Sequence, residues 1–145
     1  MYIEKASQLT EEIFDAVRRL VPFLGTHKPI PSRADLTLLL DSGTSMLLLA
    51  RFPASDSPIA GMLTISIYRV PTGVRSIVED VVVDTAFRGK GIAKALMQSA
   101  IEIAREAGAN GVALTSNPQR VEANQLYLSL GFHRRETNAY FLPLK

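Results

Sequence analysis

Apolar residues in the first part of the chain recur at a helical period. Ile13, Val17, Leu20, Val21 and Leu24 fall at i, i+4, i+7, i+8 and i+11, the stripe of an amphipathic helix. Thr10 precedes that stripe as an N-cap, Glu11 and Glu12 suit the positive end of the helix dipole, and Gly25 is the expected stop. Tyr2 to Ala6 reads as a short strand ahead of it. Thr26 to Pro31, with its prolines, predicts a loop, and Ser32 to Leu40 fits a helix or a buried strand, with helix preferred.

The pattern then changes to a period of two. Thr44 to Phe52 holds the apolar run Met46 to Ala50, and Pro53 to Pro58 supplies turn chemistry. In the next strand Leu63, Ile65 and Ile67 alternate with Thr64, Ser66 and Tyr68, so two adjacent antiparallel strands are expected. Pro71 to Gly73 makes a further turn. Ser76 to Val83 follows as a strand whose Val81, Val82 and Val83 suggest burial on both faces and a central position.

Helical spacing returns between Gly89 and Ala107, through Ile92, Leu96, Ala100, Ile103 and Ala107, with Gly108 as the stop. Gly111 to Thr115 is read as a short strand. Asn117 and Pro118 are read as the cap and first turn of a helix carrying Leu126, Tyr127 and Leu130, closed in Schellman style by Gly131 and Phe132. Asn138 to Leu142 is expected to be an edge strand protected by Pro143. A strand-helix-strand-helix order late in the chain requires a parallel crossover, so a mixed sheet flanked by helices is predicted. With no repeat, linker or low-complexity stretch, residues 1–145 are expected to form a single domain.

Composition narrows the chemistry. Apolar residues make up 47% and charged residues 21% of 145 residues, as in an ordinary packed domain. The absence of cysteine excludes a thiol nucleophile, a disulfide framework and a thiolate metal site. His27 and His133 stand in unrelated contexts without metal-ligand spacing, so no metal is expected. A net charge of +2 suits an anionic small ligand and falls short of a nucleic-acid footprint, so no nucleic-acid partner is expected. No run of about 18 apolar residues appears. Met1 to Lys5 carries Glu4 and Lys5 instead of a signal-peptide core, which predicts a cytoplasmic protein with no membrane partner.

Charge placement is most informative between Val83 and Ile92. Asp84, Thr85, Ala86, Phe87, Arg88, Gly89, Lys90 and Gly91 form a loop ending where the long helix begins. Unpaired backbone N–H groups at a helix start, the helix dipole and glycines that permit close approach make an anion site, with Arg88, Lys90 and Lys94 adding charge. A Rossmann fingerprint fails because its third small position is Lys94 and no acid ends the following strand. A Walker loop fails because no glycine precedes a Gly-Lys-Ser or Gly-Lys-Thr triplet at the required spacing. Taken alone, the segment fits a diphosphate site or a glycine-rich, basic surface helix start.

Arg88, Gly91 and Ala93, following the strand Val81 to Val83, fit the R/Q-x-x-G-x-G/A signature and resemble the GNAT superfamily of N-acetyltransferases. Arg120, Glu122, Ala123, Asn124, Leu126, Tyr127, Leu130, Gly131 and Phe132 are similar to that family's later helix and its Leu-Gly-Phe ending. The similarity is clear from about Glu79 to Phe141 and architectural before that. It implies an α+β fold with a mixed, largely antiparallel sheet of six to seven strands and about four helices, in the order β-α-α-β-β-β-α-β-α-β-β. It also implies acetyl-CoA as cosubstrate, with pantetheine along Val81, Val82 and Val83 and pyrophosphate over Arg88, Gly89, Lys90, Gly91, Ile92, Ala93 and Lys94. Asn117 and Asn124 are further coenzyme contacts on the same resemblance, and a homodimer is compatible with it.

Acyl transfer to an amine needs a neutral amine, a stabilised oxyanion and a proton for the thiolate. The family position of Tyr127 implies the general acid, whereas spacing alone makes it a core tyrosine beside Leu126 and Leu130. Asn124 shares roughly that helix face, where it either meets the pantetheine arm or faces solvent. Glu79 is the proposed base, or else an acid that positions substrate, and strand parity turns Asp80 to the opposite face. The backbone N–H of Val81 is a candidate oxyanion donor. The acceptor is a small-molecule or peptide amine. Two other functions stay open at this stage, a non-catalytic acyl-CoA-binding or sensing domain and a nucleotide-binding module.

Overall fold

The computed structural model describes residues Met1–Lys145, which divide into two compact units, Met1–Thr115 and Ser116–Lys145. The first unit contains β1 (Tyr2–Lys5), α1 (Glu11–Leu20), α2 (Arg33–Leu40), β2 (Ser45–Arg51), β3 (Ile59–Val70), β4 (Gly73–Val83), α3 (Ile92–Glu106) and β5 (Val112–Ala113). The second contains α4 (Val121–Ser129).

The five strands lie in the order β1-β2-β3-β4-β5, antiparallel throughout except for the parallel pair β4 and β5 across the α3 crossover. β3 is therefore the middle strand, and the central place expected for Ser76 to Val83 is corrected, because a single strand lies beyond β4. Val81 and Val82 are nonetheless buried. Asn138 to Leu142 does not form the expected edge strand, so the sheet has five strands where six to seven were predicted.

Alternation along the strands builds two apolar layers. Leu47, Leu49 and Met62 pack with Ile13, Phe14, Val17 and Leu20 of α1 and Leu36 of α2. Their neighbours Leu48 and Ala50, paired with Leu63 and Gly61, present the face covered by α3. Gly61 makes that cover possible. A Cβ there would lie 3.0 Å from the Val82 carbonyl and 3.1 Å from Ile92, so only glycine lets the start of α3 settle this close to the sheet.

Helix boundaries follow local chemistry. α1 takes Thr10 as its N-cap, with the Ile13 amide donating to the Thr10 hydroxyl at 3.2 Å, but it ends at Leu20 instead of running to Gly25. Pro22 cannot continue an α-helical ladder, and Val21–Phe23 tightens into a 3-10 turn. Ser32 to Leu40 resolves as a helix because Ser32 and Asp35 close a capping box. Arg51 donates to Glu4 at 3.0 Å and to Glu12 at 2.7 Å, tying β2 to β1 and α1. The hydrogen bond with Glu12 is the largest cause raising the guanidinium pKa further above its already high ordinary value.

Candidate active site

β4 departs from regular pairing where the site residues begin. Glu79 pairs with Thr64 and Val82 with Met62, so Asp80 and Val81 together stand opposite Leu63 in a β-bulge. Asp80 takes a φ of +52°, the one non-glycine residue in the left-handed region. The bulge interrupts the strict alternation on which the parity expectation for Asp80 and Glu79 rests. The extra residue resets the alternation, and both side chains are exposed. On its other side, β4 pairs with β5 only through Ser76 with Val112 and Ile77 with Ala113. The parallel ladder ends there, ahead of Glu79 and the three valines.

At the end of β4 the chain enters an anchored turn. Asp84 accepts from the Ala86 amide at 3.0 Å and from the Arg19 guanidinium at 3.2 Å, while its own amide donates to Ala60 at 2.8 Å. Phe87 meets Phe52 edge to face at 6.2 Å. Arg88 then runs extended, and Gly89 and Gly91 adopt φ values of +78° and +79°. A Cβ at either glycine would meet nothing within 4 Å, so the backbone turn and not crowding by the chain selects glycine here. The same open space is what an approaching phosphate requires.

Gly91 is the N-cap of α3 and offers no side-chain hydrogen bond to the first turn. The helix begins at Ile92, leaving Gly89 in the loop. Ile92 is buried and fixes the helix against the sheet, whereas Arg88, Lys90 and Lys94 are exposed and form no ion pair with the chain's carboxylates. Ala93 is half-buried. The result is a set of helix-start amides and three cations around an open glycine turn, an arrangement that suits an anion.

The remaining candidates belong to the second unit. Asn117 accepts from the Gln119 amide at 2.9 Å in an Asx turn, and α4 starts only at Val121, so the expectation that Asn117 and Pro118 cap this helix is corrected. Asn124 donates to the carbonyls of Asn117 at 2.9 Å and Arg120 at 2.8 Å, which ties the turn to the helix. Tyr127 is 6% exposed, and burial pushes its phenol pKa above the ordinary value against an opposing effect of Arg120. Gly131, with φ +98°, closes the helix as expected. The Phe132 amide donates to the Tyr127 carbonyl at 3.0 Å, and the two rings meet at 6.0 Å.

The structure thus brings Val81 to Val83 and Arg88 to Lys94 onto one strand-loop-helix segment with Glu79 at the bulge, and brings Tyr127, Asn124 and Asn117 together on the other unit. Sequence reasoning missed Asp84, Arg19 and Gly61, which position the loop and helix. The Asx turn of Asp84 was open to inference from its place before a turn, whereas its bond to Arg19 spans 65 positions and leaves no local mark.

Residues 11–132 match the family of acetyltransferases described as Acetyltransferase (GNAT) family. N-acetylaspartate synthetase of Danio rerio is 48% identical over 62 residues, covering 42% of this chain and 22% of that protein. N-acetyltransferase 8F1 of Rattus norvegicus is 30% identical over 105 residues, covering 72% of this chain and 41% of that protein. The matched segments therefore span well under half the length of these relatives. Among solved structures, an aminoglycoside acetyltransferase from an uncultured soil metagenomic sample superposes with a TM-score of 0.84 at 21% identity, over 99% of this chain and 96% of that one. With residues 11–132 matching the family model, the chain belongs to the GNAT family of acetyltransferases.

Proposed function

We propose that the protein is an N-acetyltransferase that moves an acetyl group from acetyl-CoA to a primary amine by direct attack in a ternary complex. The observation that carries this reading is the Arg88–Gly91 turn, with its left-handed glycines and cations, feeding an uncapped α3 beside a strand whose parallel ladder has just ended. In this reading the coenzyme pyrophosphate rests on Arg88 to Lys94, and pantetheine extends β4 along Val81, Val82 and Val83 as an added strand. Asn124 and Asn117 support the pantetheine arm.

An amine of lysine type has a pKa of about 10.4 and is mostly protonated at neutral pH, so attack benefits from a base. Glu79, exposed at the bulge, takes that role in the proposal. Tyr127 donates the proton that the departing thiolate needs, and the burial that raises its pKa keeps that proton in place. A cysteine acyl-enzyme is not available to a chain without cysteine. The relatives are named for compounds as unlike as N-acetylaspartate and an aminoglycoside, so the acceptor is proposed as a primary amine without finer assignment. No helix is long and apolar enough to cross a membrane, and cytoplasmic activity is part of the proposal.

The test is acetyl-CoA consumption against a broad amine panel, where tight binding without turnover on any amine would refute catalysis. Tyr127→Phe is expected to lower kcat by about a hundredfold or more while leaving acetyl-CoA affinity nearly intact. Because Tyr127 acts protonated and burial raises its pKa, kcat should hold its plateau up to at least about pH 10. An alkaline limb well below that, unchanged in Tyr127→Phe, would remove Tyr127 from the acid role.

A further inference from the structure

Ser76 is the one polar residue buried in the protein, with 3% of its surface exposed. Its surroundings call for an apolar side chain. Ile67 stands opposite Ser76 and Ile65 opposite Val78, so alternation puts Ser76 in line with Val78 on the sheet face that α3 covers. A hydroxyl in such a place is costly unless it is hydrogen-bonded. It is bonded, donating to the Gly111 carbonyl at 2.7 Å across 35 positions of sequence.

That bond lies where β4 and β5 are paired. The Asn110 amide donates to the Val74 carbonyl at 2.9 Å, Ser76 pairs with Val112 and Ile77 with Ala113, and the ladder goes no further. β5 is therefore held to β4 at its start alone, and a short clasp sets its direction where a long ladder otherwise would. Val81 lies past Ser76 on β4 by about 15 Å of strand, so a rotation of about 5° at the clasp changes the far end of the gap by about 1 Å. A displacement of that size is enough to disturb a bound reactant.

We propose that Ser76 is a positioning residue for the coenzyme: by holding the Gly111 carbonyl, its hydroxyl sets the angle at which β5 leaves β4, and so the width of the gap that takes the pantetheine arm. The inference rests on the reading above that pantetheine extends along Val81 to Val83. Without the hydroxyl, the Gly111 carbonyl loses its side-chain partner and turns to find another, taking the start of β5 with it.

Ser76→Thr and Ser76→Val add nearly the same volume, and only threonine keeps the donor. Calorimetry with acetyl-CoA is expected to give a dissociation constant about tenfold higher for Ser76→Val than for Ser76→Thr. Ser76→Ala, which adds no volume, should show the same loss against the unaltered chain. The phosphorylated ADP half of the coenzyme lacks the pantetheine arm, so its affinity should be unchanged in every variant. Equal acetyl-CoA affinity in Ser76→Val and Ser76→Thr, with none lost in Ser76→Ala, would overturn this inference and leave the coenzyme reading standing. A parallel loss of affinity for the ADP half would also overturn it, by marking a general loosening of the fold. An unaltered chain that binds the ADP half and gains nothing from the pantetheine arm refutes the placement of pantetheine along β4, and this inference with it.

Discussion

α2 and α3 start in opposite ways. At α2 the Ser32 hydroxyl accepts from the Asp35 amide at 3.1 Å, and the Asp35 carboxylate accepts from the Ser32 amide at 3.0 Å. Those bonds also hold the Asp35 carboxyl below the usual carboxylate range. At α3 the cap is Gly91 with no side chain to offer, and the acids found in the first turns of α1 and α2 are replaced by Lys94. A helix whose job is to pack closes its own amides, while one that leaves them open beside cations is arranged for an outside anion.

The comparison breaks most sharply if α3 is given an internal carboxylate. Gly91→Asp keeps a residue type that tolerates the left-handed conformation and places a negative charge on the amides. It is expected to raise the acetyl-CoA dissociation constant about a hundredfold, near 2.7 kcal/mol, with a small change in melting temperature. Unchanged affinity by calorimetry would end the phosphate-turn reading. Asp84→Ala should act on both properties, weakening acetyl-CoA about tenfold and lowering stability by about 1–2 kcal/mol in urea unfolding, since Arg19 and the Ala86 amide lose their shared acceptor. If only stability falls, the anchor does not set the geometry of the turn. Ser32→Ala is the control at the other helix, expected to cost about 1 kcal/mol, or about 3 °C in melting temperature, without altering coenzyme affinity.

Much of this was legible in the sequence where one residue type has one local use. Thr10 marks a helix start, Gly108 and Gly131 mark stops, and the alternation from Leu63 to Ile67 gives a strand its inner face. The glycine turn was legible for the same reason, because left-handed φ leaves few residue choices. The bulge was not. One extra residue in a strand changes neither composition nor propensity, and a strict period of two does not carry across it to Asp80. Pro22 was visible, yet the apolar stripe running past it concealed the earlier end of α1. Asn138 to Leu142 has the residue types of a strand but forms none, since a strand needs a paired neighbour and local pattern does not supply one.

The stop at Gly131 has a mechanical side. Tyr127 is at once the residue whose carbonyl receives the closing Phe132 amide and the one whose ring meets the Phe132 ring. The punctuation of α4 is therefore also the mounting of its phenol. A substitution at Gly131 that lets the helix run on by a turn would look harmless in a spectrum of helix content, and would swing out of aim the one hydroxyl that the proposed chemistry depends on.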